Sequence, residues 1–396
     1  MTRFLKRRIA VAGGGCSAAW QLGLRAAVAV LALTMASVNA QEYPSQKGTL
    51  SVTEVVAGLD HPWSMAFLPD NAGVLITERP GRLRLWRPDG GLSKPIAGLP
   101  DVYARSQGGL LDVALAPDFR QSRKVYLSYA EGSGGGSAGA AVGYGILSDD
   151  AQTLRDFKVI FRQEPKLSHG QHFGSRLVFD RKGHLFIALG ENNQRQTSQQ
   201  LDKLQGKVVR LLPDGRVPDD NPFTRRPPAR PEIWSYGHRN QQGAALNPWT
   251  GELWTNEHGP RGGDEVNIPR AGKNYGWPIA THGINYSGSA IPEAKGATVP
   301  GVEEPVYYWK VSPAISGMAF YDAAAFPAWE GSLFIGALVG RALIRLQLDG
   351  DRIVGEERLL EELNERIRDV RVGPDGHVYV LTDASDGRLL KLGLKP

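Results

Sequence analysis

Four stretches of the chain crowd polar and aromatic side chains against glycine, as binding and catalytic loops tend to do. They are Ser168-His-Gly-Gln-His-Phe-Gly-Ser-Arg176, Trp234-Ser-Tyr-Gly-His-Arg-Asn-Gln-Gln-Gly243, Asn256-Glu-His-Gly-Pro-Arg-Gly-Gly-Asp-Glu-Val-Asn267 with Asn274-Tyr-Gly-Trp277 behind it, and Asn364-Glu-Arg-Ile-Arg-Asp369. His172 sits among glycines just ahead of an apolar run. An imidazole there suits a general base near neutral pH, and a hydrogen-bonded structural histidine fits the same pattern. His169 has the weaker claim to chemistry. Arg366 and Arg368 flank Ile367, so in a strand both guanidinium groups share one face. Either an anion answers their repulsion, since arginine forks suit carboxylates and phosphates, or they pair with Glu365 or Asp369. In the third stretch Gly259-Pro260 and Gly262-Gly263 leave backbone carbonyls accessible, and Asp264 and Glu265 add carboxylates. Oxygen donors without sulfur suit calcium or magnesium, not zinc or copper; an ordinary acidic turn reads the same way. The sequence holds no P-loop, no dinucleotide-binding GxGxxG, no GxSxG and no HExxH, which removes support from nucleotide-triphosphate, nicotinamide and serine-hydrolase chemistry.

Something must carry these loops to one place. A unit of strand, Pro/Asp/Gly turn and strand recurs six times, at residues 65–77, 113–128, 177–188, 245–255, 318–335 and 370–380. Each is a hairpin signal. Helical periodicity is scarce, with a short helix expected only over 356–365. Six hairpins with further strands between them predict an all-β fold, a six-bladed β-propeller with four-stranded antiparallel blades. Residues 41–396 give about 59 residues per blade, more than the usual repeat. The excess is expected in loops at 132–145, 213–231 and 281–305, where Gly, Ser, Ala, Pro and Arg concentrate. A sandwich or two β-domains is the alternative. A propeller gathers its site from several blades at one end of its channel.

The chain has 396 residues and a net charge of +5, with 46 Lys+Arg against 41 Asp+Glu. The first 40 residues hold five of the basic ones (Arg3, Lys6, Arg7, Arg8, Arg25) and no acidic one. The remaining body is neutral, which argues against nucleic acid as the partner. A basic start, the apolar run from Ala26 to Ala36 and the small residues of Val38-Asn-Ala40 predict a secretory signal over 1–40, followed by one propeller domain over 41–396 and a periplasmic location. The apolar run is short of the ~20 residues of a membrane span. Cys16, the single cysteine, falls inside this segment, so the exported chain has no disulfide, no thiol nucleophile and no Cys-ligated metal.

Taken together, the runs Gly108-Gly-Leu-Leu-Asp112, Gly170-Gln-His-Phe-Gly174, Asn256 to Glu265, Lys273-Asn-Tyr-Gly-Trp-Pro278 and Arg366-Ile-Arg-Asp369 resemble the soluble PQQ-dependent glucose/sorbosone dehydrogenase family, most closely its aldose sugar dehydrogenase branch. The similarity runs from Leu59 to Asp383. It implies a six-bladed propeller with PQQ, a flat tricarboxylated quinone, on the channel end. It places the general base at His172 and an orienting acid at Glu191. Gln107, Arg239 and Asn240 match positions that face cofactor and substrate, and Arg366 and Arg368 match the pair that grips PQQ carboxylates. The carbonyls of Gly259 and Pro260 match ligands of the Ca2+ that also touches PQQ, while Glu265 and the Tyr275 carbonyl match a second Ca2+ site. Where family members often carry a lysine after Gly-Ala-Leu, Gly336-Ala-Leu338 is followed by Val339; Arg341 or the neighbouring backbone is the expected substitute.

The expected reaction is oxidation of aldose sugars at the anomeric carbon to the lactone. The sugar hydroxyl gives its proton to His172 and its hydride passes to PQQ, with Ca2+ polarising the quinone oxygen and Arg239 stabilising the growing negative charge. The electron acceptor stays open among a dye, a quinone and a cytochrome, and the assembly between monomer and homodimer. Two rivals are a calcium-dependent propeller lactonase and a non-catalytic propeller that binds carbohydrate or protein.

Overall fold

The computed structural model describes residues 40–168 and 170–395. The expected signal, with Cys16, falls on residues of which all but Ala40 lie outside the described residues, as does His169. Each of the six expected hairpins forms the two innermost strands of an antiparallel sheet, and the sheets are the blades of a six-bladed propeller. Blades 1 to 6 start with the inner strands Pro62–Phe67, Leu110–Leu115, Gly174–Phe179, Asn240–Leu246, Ile315–Tyr321 and Ile367–Val372. Consecutive inner strands touch, and the sixth returns to the first, so the ring closes. The second strands Val74–Glu78, Leu185–Leu189 and Val378–Thr382 are buried along their whole length. Their near-continuous apolar composition follows, because each blade is covered on both faces.

Closure depends on the first strands described. Leu50–Leu59 pairs antiparallel with Gly387–Leu394 and supplies the fourth strand of blade 6, with Gln41–Tyr43 added at its edge. Leu50 and Leu59 are fully buried and Val52 nearly so. The first and last described strands are thereby held in one sheet.

Two expectations about local structure are corrected. Residues 132–145 are not a loop: Lys124–Gly132 and Ala138–Leu147 are neighbouring strands of blade 2 and only 133–137 links them. The small residues are there because neighbours press close. A Cβ on Gly143 would lie 2.7 Å from the Lys158 carbonyl and 2.7 Å from the Phe157 ring. Residues 356–365 are not a helix: Arg352–Leu359 is the outer strand of blade 5, followed by a single 3₁₀ turn at Glu361–Leu363. Strand pairing to Ala342–Asp349, with Glu357 ion-paired to buried Arg345, overrides local helix preference there.

All six inner strands share an irregularity. Each has a register shift near its leading end, at 62–64, 110–113, 174–176, 241–243, 315–318 and 367–369. Bulges re-aim side chains and occur beside active sites. Here they lie at one end of the channel, and Trp63, Leu111, Gln242 and Arg368 within them face the cavity described below.

Leu50→Ala tests the closing strand. Removing a fully buried leucine side chain typically costs about 2–5 kcal/mol, a large share of the ~5–15 kcal/mol that holds a domain folded. Urea unfolding should show a loss in that range; a loss below ~1 kcal/mol would show that blade 6 stays closed without this contact.

Candidate functional site

The leading ends of the inner strands and the turns beside them enclose a cavity of about 460 Å³ at one end of the channel. Every blade contributes, through side chains such as Trp63, Leu111, Phe173, Asn240, Leu338 and Arg368. Its floor is a buried ionic cluster. Arg176, fully buried, pairs with Asp112 at 3.1 Å and Asp369 at 3.0 Å and lies over the Trp63 ring at 4.1 Å. Arg371 adds a second cation to the same two carboxylates. Arg176 also donates to the backbone carbonyls of Gln242 (2.7 Å) and Arg368 (3.5 Å). Desolvated charges are tolerable only when paired and hydrogen-bonded in this way.

One wall carries the arginine fork. Arg366 and Arg368 both donate to Asp383 Oδ2, at 2.9 and 2.8 Å, and His61 Nδ1 meets Asp383 Oδ1 at 3.2 Å. Neither arginine pairs with Glu365 or Asp369; Arg388 takes Glu365, and Arg176 with Arg371 takes Asp369. Burial opposes ionisation of Asp383, but the Arg368 and Arg366 charges outweigh it and hold the carboxyl far below the usual range. One carboxylate against two guanidinium groups leaves a surplus positive charge facing the cavity. Arg368 Nη1 donates to Gln242 Oε1 at 3.1 Å, while its Nε is buried without a partner among the described residues. Arg79 joins this lining, tethered to the Ser106 carbonyl. The wall suits a planar anion with several carboxylates.

His172 is nearly buried beside it, at φ 49°, a left-handed conformation uncommon outside glycine. Its backbone N–H donates to Gln107 Oε1 at 2.9 Å, and its carbonyl accepts from Asn192. Gly190 has to be a glycine here, because a Cβ would meet that carbonyl at 1.9 Å. His172 Nδ1 lies 2.7 Å from Glu191 Oε2. Burial opposes ionisation of Glu191, but the His172 ring and then Arg239 outweigh it and lower its carboxyl below the usual range. With Nδ1–H donated to the carboxylate, Nε2 presents its lone pair, the state a general base needs.

Arg239 ties this pair to blade 4. Its carbonyl accepts from Glu191 N–H at 2.9 Å, its own N–H donates to Glu257, and its Nη1 donates to the His258 carbonyl at 3.0 Å. Its Nε, like that of Arg368, is buried without a partner among the described residues. The carbonyls of Gly259, Pro260 and Tyr275 receive no hydrogen bond among the described residues. Glu265 faces Glu257 across paired strands, and Asn267 Nδ2 donates to both. Loss of solvent raises both carboxyls above the usual range, and the Glu257 charge raises Glu265 further. Free carbonyls beside crowded carboxylates are the donors a hard cation takes.

The structure brings Gln107, Asn240, Arg366 and Arg368 onto the cavity and packs His172, Glu191 and Arg239 into its surround. Arg341 stands apart: exposed, it donates to Asn364 Oδ1 at 2.9 Å. Val339 and Leu338 take the neighbouring stretch of wall. Sequence reading passed over Asp383, His61, Gln242 and the Arg176 floor. Asp383 had a signal, since counting outward from the turn at 373–377 sets it across from Ile367, and the bulge at Arg368 moves it opposite Arg366.

A family model described as Glucose / Sorbosone dehydrogenase matches residues 59–391. An aldose sugar dehydrogenase of Escherichia coli (strain K12) is 62% identical over 344 residues, covering 87% of this chain and 93% of its own. Among solved structures, a glucose dehydrogenase at 67% identity superposes with a TM-score of 0.86 over 87% of this chain and 99% of that one. The PQQ-bound form of an aldose sugar dehydrogenase from Streptomyces coelicolor, 27% identical, superposes with a TM-score of 0.71 over 89% of this chain and 100% of its own.

Asp383→Asn should cost about 1–3 kcal/mol at neutral pH, the worth of a buried charge-assisted set. Because the folded-state pKa is depressed, the stabilisation is present above the unfolded value near ~4 and is lost as pH falls through the lower folded value. Urea unfolding of both proteins should therefore show a gap that is full at about pH 7 and shrinks at about pH 3. A gap independent of pH would contradict the assignment of the bridge to an ionised Asp383.

Proposed function

Because the chain belongs to the glucose/sorbosone dehydrogenase family, we propose that it is a PQQ- and calcium-dependent dehydrogenase that oxidises aldose sugars at the anomeric carbon to the lactone. The observation that carries this reading is one cavity walled by a surplus-positive fork, Arg366 and Arg368 on Asp383, with an imidazole backed by a carboxylate, His172 on Glu191, packed directly behind its lining residues Gln107 and Phe173. The likeness to enzymes named aldose sugar dehydrogenase, one of them with PQQ bound, supports it.

The residues present fit both absent groups. Unpartnered, buried Nε atoms on Arg368 and Arg239 and the net positive wall suit the three carboxylates of PQQ. The unpaired carbonyls of Gly259 and Pro260 suit a Ca2+ beside it, and Glu265 with the Tyr275 carbonyl a second Ca2+. When bound, PQQ supplies the two-electron oxidant and Ca2+ a Lewis acid.

The chain's own side chains do the rest. His172 Nε2 accepts the proton of the anomeric hydroxyl. Glu191 keeps the ring in the tautomer that can do so, and stabilises the imidazolium once it forms. Gln107 fixes the His172 backbone, so the ring's position does not depend on substrate. Asn240 lines the cavity and Arg239 packs into its surround with an unpartnered Nε, donors for the negative charge that grows as the sugar is oxidised. Val339 takes the place of the family lysine and adds only apolar wall. Arg341 is directed to Asn364, so the fork and the neighbouring backbone carry the anion. A hydrolase built on a calcium ion at the channel centre is disfavoured, because the Arg176 guanidinium fills that place. Residues 1–40 serve as the export signal, and sugar oxidation takes place in the periplasm.

Two measurements test this. Protein freed of metal and cofactor, then given PQQ, Ca2+, an aldose and a dye acceptor, should bleach the dye only when both additions are present; bleaching that needs neither would refute the cofactor assignment. His172→Ala should still bind PQQ but lose about 10²–10⁴-fold in kcat. A reconstituted variant turning over near the wild-type rate would remove His172 as the base.

A further inference from the structure

Glu257 is buried, Glu265 is half-buried, and the two stand directly opposite each other on paired strands of blade 4. Like charges in that arrangement repel. Among the described residues neither meets a lysine or arginine side chain within ion-pair distance; Glu257 has only His238. Buried carboxylates as a rule pair with a base or hold a metal. Asn267 bridges the two, its Nδ2 donating to Glu257 Oε1 at 3.1 Å and to Glu265 Oε1 at 3.0 Å. Its own Oδ1 is buried without a partner among the described residues.

Both groups assigned above to the second Ca2+, Glu265 and the Tyr275 carbonyl, reach Glu257, and they do so by separate routes. Glu265 reaches it through Asn267. Tyr275 reaches it through His238: the two rings stack at 4.7 Å and 17°. His238 Nδ1 then meets Glu257 Oε1 at 3.1 Å, with Ser235 Oγ on its Nε2 at 2.9 Å. The other oxygen, Glu257 Oε2, accepts the Arg239 N–H. On the far side of that residue the Arg239 carbonyl accepts the Glu191 N–H at 2.9 Å, and Glu191 Oε2 meets His172 Nδ1 at 2.7 Å. Each of these residues from Asn267 and His238 to His172 is buried, so little water competes along the line. The backbone reinforces it. His238 N–H donates to the Gly206 carbonyl at 3.1 Å and Gly206 N–H to the Gly190 carbonyl at 3.0 Å, which ties the segment at Arg239 to the segment at Glu191.

We propose that Glu257 is a positioning residue, through which a cation on Glu265 and the Tyr275 carbonyl sets the placement of the His172–Glu191 pair. The proposal rests on the dehydrogenase reading above. Glu257 is not among the residues that line the cavity; it acts by holding the Arg239 N–H. With the second site filled, Glu265 and Tyr275 are drawn to one point, and Asn267 and His238 carry that constraint to Glu257 Oε1. With it empty, the facing carboxylates push apart, Oε2 moves off the Arg239 N–H, and Glu191 loses the fixed backbone that aims the imidazole. Misplacing a reacting group by about 1 Å costs on the order of 100-fold in rate, so a fraction of that shift is enough to be felt.

Protein labelled with 15N-histidine and freed of metal and PQQ offers a readout apart from turnover: the proton on His172 Nδ1, identified by its absence from His172→Ala. Adding Ca2+ should shift this resonance in the unaltered protein. It should stay in place in Glu265→Gln, which removes a carboxylate from the second site. It should also stay in place in Glu257→Gln, at Ca2+ concentrations that calorimetry shows to be saturating for that variant. Reconstituted with PQQ and Ca2+, each variant should lose about 10-fold in kcat with KM for the aldose unchanged. The double variant should lose no more than either single one, because both act along one line. A resonance that still moves in Glu257→Gln, a kcat there near the wild-type value, or losses that multiply in the double variant would overturn the proposal. Should Glu257→Gln not fold, Asn267→Ala cuts the Glu265 route alone and should shrink the shift; an undiminished shift would contradict the proposal equally. Failure of the unaltered, reconstituted protein to turn over an aldose would withdraw the dehydrogenase reading, while the response of the His172 proton to Ca2+ would still decide the link through Glu257.

Discussion

Arg176 is a cation with no access to water, and the central channel is organised around its neutralisation. Asp112 comes from blade 2, Asp369 and Arg371 from blade 6, Ser64 and Trp63 from blade 1, and the Gln242 carbonyl from blade 4. Each carboxylate also accepts a backbone N–H, Leu177 for Asp112 and Met65 for Asp369. A ring of sheets has no intrinsic reason to stop at one radius or one rotation between blades. A charge on blade 3 that has to be met from four other blades at once supplies such a reason, because moving any of those inner strands leaves a buried charge short of a partner. The cluster also divides the channel, with the polar cavity on one side and the apolar residues at the trailing ends of the inner strands on the other.

The functional wall is built on this floor. Arg176 donates to the Arg368 carbonyl and to the Gln242 carbonyl, and the side chains of those two residues bond to each other. Asp383 then holds both guanidinium groups of the fork by one oxygen, with His61 on the other. Left without Asp383, two adjacent like charges would spread toward solvent. With it they stay together and remain net positive, which is a preorganised receptor for an anion. The same economy holds at His172. Its unusual backbone angle is fixed by Gln107 and by the close passage of Gly190, so the ring meets Glu191 before any ligand arrives.

Much of this was legible in the residues. The strand-turn-strand unit repeats because every blade buries its two inner strands between neighbours, and burial on both faces writes apolar runs that survive large insertions. Motif residues such as His172 and Arg366 stand out because they interrupt those runs beside glycine. What stayed hidden depends on contacts across the ring. Asp383 reads as an ordinary strand-end acid until the bulge at Arg368 shifts the register by one residue. Arg176 reads as a surface arginine because alternation cannot tell that the facing partners, Asp112 and Asp369, lie 64 and 193 residues away. The strand at 138–147 looks like a flexible loop because its small residues answer to Phe157 and Lys158, not to a need for freedom. In the outer strand of blade 5, pairing decided against a helix that local composition favours.

The Arg366 and Arg368 guanidinium groups held on Asp383 are the proposed receptor of a planar polyanion in the channel mouth. Calorimetric titration of PQQ into the protein freed of cofactor tests this role most directly, with Arg366→Ala and Arg368→Ala titrated alongside. One molecule should bind per chain, and each substitution should weaken binding by about 10-fold or more, as loss of a charge-assisted pair costs about 1.5–3 kcal/mol. Binding of equal strength in all three proteins, or none in the unaltered one, would contradict it.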